Sequence, residues 1–96
     1  MPDWLRPDQS KAIVMLDRLR WNGQPAIVAV AVGAYIPQRT LDWLQQYAQL
    51  HGRPLLWEEY EREQGAFTGR KRIGTHGPKA FEADMMAKFR AGEVPW

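Results

Sequence analysis

Gln24 to Leu50 reads QPAIVAVAVGAYIPQRTLDWLQQYAQL, and the fold turns on the local structure this run adopts. An apolar stretch, Ala26 to Val32, comes first, Gly33 marks a turn, and a segment opened by Pro37 and studded with glutamines follows. The second segment is a helix by pattern. Pro37 supplies the fixed φ of a first turn, Leu41, Leu44 and Ala48 share one face, and His51-Gly52 closes it. The first segment is open to two readings. Alternating valine and alanine, rich in β-branched side chains, suits a buried strand as well as a short helix. Pro25 in a first turn and Gly33 at the end favour the helix.

Working outward, the N-terminal side predicts a helix from about Asp8, a good N-cap residue after Pro7, to a stop at Asn22-Gly23. Ala12, Leu16 and Leu19, with Ile13 beside them, form its apolar face. On the C-terminal side, in RPLLWEEYEREQG, Leu56 and Tyr60 stand one helical turn apart, which favours a helix ending at Gly65. The alternative is the first strand of a wing. Gly65, Gly69, Gly74 and Gly77 then punctuate a basic segment in which Ala66–Thr68 and Arg72–Gly74 can pair as a β-hairpin. A last helix is expected from about Pro78 to Ala91, stopped by Gly92. Its Phe81, Met85 and Phe89 form a stripe that reads as core or dimer interface.

Ninety-six residues make one domain spanning 1–96, and 45% hydrophobic residues with five tryptophans allow it to fold without staples. The absence of cysteine excludes disulfides and thiolate metal sites and suits a reducing cytosol. His51 and His76 have no partners at metal-ligand spacing, so neither metal nor other cofactor is expected. The opening MPDWLRPDQS is no signal peptide, and the longest uncharged apolar run, Ala26 to Ile36, is far short of the roughly 20 residues of a membrane span. A soluble, cytoplasmic protein is the expectation.

The net charge of +2 is less informative than its distribution. Residues 58–63 (EEYERE) hold four acids against Arg62, whereas 65–81 hold Arg70, Lys71, Arg72 and Lys79 with no acid. That second segment suits local contact with an anion, or else is a solvated surface loop. Glu58, Glu59, Glu61 and Glu63 read as a solvated helix face, and His76, between Thr75 and Gly77-Pro78, as a turn residue. No nucleophile–base pair, carboxylate pair or phosphate-cradling loop is present, so an enzyme is not expected.

A helix that reads DNA in the major groove is apolar on one face, rich in hydrogen-bonding groups on the other, and free at its N-terminal end. Gln38, Arg39 and Thr40 occupy the first turn of the helix expected over 37–51, and Gln45, Gln46 and Gln49 continue its outer surface together with Asp42. Over about Ala26 to Ala48 the chain resembles the winged helix-turn-helix regulators. Ala29 and Gly33 match the small residue and the glycine of their bracing helix and turn, and Ile36-Pro37-Gln38-Arg39-Thr40-Leu41 is similar to the start of their recognition helices. Ala34 and Tyr35 are two residues more than that turn usually holds.

The resemblance implies a mainly α, winged helix-turn-helix domain whose wing is a short β-hairpin in segment 65–77. It implies a small transcriptional regulator that binds double-stranded DNA sequence-specifically through Gln38, Arg39, Thr40, Gln45 and Gln46. Loop 69–79 would hold the backbone through Arg70, Lys71, Arg72 and Lys79. A homodimer on a palindrome follows, with Phe81, Met85, Met86 and Phe89 as its interface. The reading from another class is a protein-interaction module, a small inhibitor or adaptor. Five tryptophans and three tyrosines exceed what one core of this size needs, and aromatics with arginines are the usual interface anchors.

Overall fold

Ile27 to Val32 forms a strand, and what lies on either side of it explains the continuous apolar run. Ile27, Ala29 and Ala31 pack in one cluster with Leu41, Leu44 and Ala48, whereas Val28 and Val30 pack in another with Leu56, Phe81 and Met85. A strand covered on both faces favours apolar residues on both, which removes the alternation that marks a half-exposed strand.

The computed structural model describes residues 13–33, 35–61 and 70–96. In chain order these hold β1 (Ile13–Leu16), β2 (Arg20–Trp21), β3 (Gln24–Pro25), β4 (Ile27–Val32), α1 (Gln38–Leu50), β5 (Leu55–Tyr60), β6 (Arg70–His76) and α2 (Lys79–Arg90). The main sheet has the order β1-β4-β5-β6. β1 is antiparallel to β4, β4 parallel to β5, and β5 antiparallel to β6. A parallel neighbour in the same sheet requires a crossover, and α1 supplies it. Helix α1 therefore covers one face of the sheet and α2 the other.

This arrangement corrects the mainly α reading. The described residues form an α+β fold of two helices on a mixed four-stranded sheet, with a small β2-β3 ribbon beside it. The winged helix-turn-helix resemblance fails with it, because the expected bracing helix is a central strand and the expected recognition helix is a crossover packed on that sheet. Residues 13–22, expected in a helix, form β1 and the first half of the ribbon, and 55–60 form β5 rather than a helix. The wing expected in 65–77 is corrected in part. Arg70–His76 is a strand, but its partner is Leu55–Tyr60, and Ala66–Thr68 lies outside the described residues.

Asn22-Gly23 is a turn and not a helix stop. Both residues have positive φ, 52° and 75°, the backbone of a tight two-residue hairpin loop that Asn-Gly favours. The two expected helices at 37–51 and 78–91 are present as α1 and α2. Both close in the same way. Arg53 N–H donates to Ala48 O and Gly52 N–H to Gln49 O at the end of α1, and Glu93 and Gly92 repeat the pattern on Lys88 and Phe89. No helix among the described residues is long and apolar enough to cross a membrane.

One cross-strand pair limits the sheet closely. Gly74 faces Trp57 in the β5-β6 register, and the Trp57 indole lies where a side chain on residue 74 would go. Gly74→Ala is expected to displace the indole and destabilise the protein by about 1–3 kcal/mol. A lowered urea midpoint with unchanged slope checks it, and a midpoint equal to the parent's would show that the ring moves freely.

Candidate binding cleft

Glu58 and Glu59 are the first surprise of the interior, since both are fully buried on β5 and neither lies on a solvated helix face. Adjacent strand residues point to opposite faces, so the two carboxylates need separate partners. Glu58, on the α2 face, pairs with Arg70 Nε at 2.7 Å and accepts from the Tyr60 hydroxyl at 2.6 Å and Trp96 Nε1 at 2.5 Å. Glu59, on the α1 face, accepts from Arg72 Nε at 2.5 Å, Arg72 Nη2 at 2.8 Å and the Ile36 backbone N–H at 2.5 Å.

Arg70 and Arg72 are two residues apart and would share a face in a regular strand. They do not, because Glu59 opposes Arg72 and Tyr60 opposes Arg70, which leaves one extra residue, Lys71, as a bulge. Each guanidinium then lies over aromatic rings, Arg70 over Phe89 and Tyr60, Arg72 over Trp57 and Tyr35. Hydrogen bonding to Glu59 raises the Arg72 pKa above its usual value. Burial, then the bond to Glu58, pushes the Tyr60 hydroxyl up to about 12, with Arg70 opposing the shift. Carboxylates so fully supplied with donors hold the sheet together and are not free to act as bases or ligands.

The residues expected to bind DNA are scattered by this fold. Gln38 and Arg39 are exposed in the first turn of α1, and Gln38 Nε2 donates to Asp42 Oδ1 at 2.9 Å. Thr40 is buried, with an unpartnered hydroxyl. Gln46 is exposed and Gln45 half-buried. Arg70 and Arg72 are engaged by Glu58 and Glu59, and Lys71 belongs to the bulge. Lys79 is exposed at the start of α2. Of the expected dimer surface, Phe81 and Met85 are buried in the core of the single chain, Phe89 packs against that core, and Met86 is exposed.

The structure brings together a different set. A cleft of about 410 Å³ opens between the C-terminal end of α1, the β2-β3 ribbon and the start of α2. Trp21, Asn22 and Gln24 line it from the ribbon, Gln49 and Arg53 from the end of α1, and His76 from the end of β6. The Trp21 indole is held in place, its Nε1 donating to Asp84 Oδ2 at 2.7 Å and its ring standing edge-on to Phe81. Gln49 Nε2 and His76 Nε2 are 3.1 Å apart. Arg53 reaches the cleft because the glycine-closed end of α1 turns the chain there, with Gly52 at φ 62°. Among the described residues, the lining holds an indole, an imidazole, three side-chain amides and a guanidinium, and no carboxylate.

Reading the sequence from its helical periods passes over this cleft. The signal that finds it is Trp21-Asn22-Gly23-Gln24, where Asn-Gly marks a hairpin that puts one polar or aromatic side chain after another at its tip.

Two outcomes follow from the carboxylate pairs. Arg70→Ala is expected to cost about 3 kcal/mol, because it leaves Glu58 buried without its cation. Replacing Glu58 as well, as Glu58→Leu with Arg70→Leu, should recover part of that loss in the same denaturant titration. The raised Tyr60 pKa gives stability that is complete below pH 10, the ordinary value of a tyrosine, and is lost as pH rises toward about 12. Tyr60→Phe should flatten the fall in thermal midpoint across that window, and an equally steep fall would remove Tyr60 as its source. Comparison of the chain with protein-family models, curated proteins and solved structures finds no match, so the cleft is read from its own geometry.

Proposed function

We propose that this protein binds nucleic acid through the surface around the cleft. The observation that carries the reading is the lining itself, where aromatic, amide and cationic side chains converge and the described lining residues include no carboxylate; the neighbouring Asp84 carboxylate is engaged by Trp21 Nε1. Arg53 lies in the lining, and Lys79 follows the lining residue Pro78 at the start of α2. Both are exposed, and neither makes an ion pair among the described residues. The groove-reading role first expected of α1 is set aside with the helix-turn-helix. The contact surface moves to the other end of that helix, roughly 20 Å away for its 13 residues.

A protein partner is the second reading, and β1 favours it. That strand ends the sheet, and Val14 and Met15 are about half exposed on its two faces. An edge strand with uncovered apolar side chains is a surface to which another chain adds.

Fluorescence anisotropy with labelled mixed-sequence oligonucleotides separates the two. Binding is expected to weaken with salt at a log–log slope of about −1.4 for single strands if Arg53 and Lys79 each meet a phosphate. Arg53→Ala and Lys79→Ala should each weaken all sequences alike and reduce the slope by about 0.7. If no nucleic acid binds at low salt, the reading is wrong and the β1 edge becomes the surface to pursue.

A further inference from the structure

We infer that the cleft receives one unpaired nucleotide of a single strand, its base against Trp21 and its phosphate near Arg53. This rests on the nucleic-acid reading above and narrows it to a class of ligand.

Size is the first argument. About 410 Å³ lies within the range of small-ligand sites and admits one nucleotide. A paired base in a duplex offers only its edges to a protein and is stacked on both faces, so it cannot enter.

The second argument is the stacking surface. Base–aromatic stacking needs an aromatic ring that is already in place, since ordering it on binding would reduce affinity. Trp21 meets that condition, because Asp84 fixes its Nε1 at 2.7 Å and Phe81 braces its ring at a centroid distance of 5.5 Å and an angle of 80°.

The third argument is the type of polar group. Asn22, Gln24 and Gln49 each carry both a donor and an acceptor in one plane, which is what the edge of a base presents in return. A carboxylic or phosphoric acid alone would need cations in their place. Here Arg53 is the one permanently charged lining residue among those described, enough for a single phosphate, and His76 is tied at 3.1 Å to Gln49.

The test compares oligothymidylate and oligoadenylate single strands with the blunt duplex of the same sequences, by anisotropy on the full chain. Single strands are expected to bind at least tenfold more tightly than the duplex. Trp21→Ala should lower single-strand affinity about tenfold and leave duplex binding unchanged. Trp21 touches the core, so the double variant Gln24→Ala, Gln49→Ala provides the second arm. Both side chains are exposed, and single-strand affinity should fall in this variant too.

Equal binding of duplex and single strand, or an amide variant that binds single strands like the parent, overturns the cleft assignment while leaving nucleic-acid binding in place. Failure of either form to bind at low salt overturns both.

Discussion

Strand β5 carries two adjacent carboxylates through the middle of a sheet that is covered on both faces. A buried carboxylate without a cation and hydrogen bonds costs several kcal/mol, a large part of the stability of a domain this size. Because neighbouring strand residues face opposite ways, no single cation can serve both. The bulge at Lys71 meets this requirement by sending Arg70 to one face and Arg72 to the other. Each pair then reaches into its own helical layer. Arg70 lies over Phe89 of α2 and donates to Glu93 O beyond it, while Glu59 and Arg72 hold Ile36, just before α1. The charges at the centre of the sheet therefore set how both helices attach to it.

That dependence also explains what the sequence did and did not make legible. The helices at 38–50 and 79–90 follow from apolar spacing and glycine stops, which are local signals, and both are read correctly to within a residue or two. The strands are another matter. IVAVAV is apolar throughout because helices cover both its faces, and a short apolar run of that kind has no period to distinguish strand from helix. In LLWEEY, Leu56 and Tyr60 are four apart, which fits a helical turn as well as two strand steps on one face. The paired glutamates look solvated until their arginines are known, and those arginines come from a strand whose register depends on one extra residue. No local pattern announces a bulge.

The candidate site was hidden for a related reason. Gln49 and Arg53 belong to the end of α1, His76 to the end of β6, and Trp21 to a ribbon read as the tail of a helix. Only Lys79, of the residues first expected to meet an anion, comes to stand beside the cleft, through Pro78. The basic run at 70–72 looked like the most evident anion-binding feature in the chain. Two of its three residues turn out to neutralise the protein's own acids. A positive cluster in a sequence measures supply, and how much of it remains for a ligand depends on the buried acids it must first satisfy.

This accounting also selects between the two ends of the sheet. In open sheets with a crossover helix, ligands commonly settle outside the carboxyl ends of the parallel strands, next to the start of that helix. Here that place is already filled from within. Glu59 takes the Ile36 N–H that leads into α1 and both forks of Arg72, so the groups that would hold an external anion hold an internal one. At the opposite end the described lining residues supply donors and an ordered indole and include no carboxylate. An external ligand gains most where the protein has left its polar groups open, and in this fold that is the cleft between the end of α1 and the start of α2.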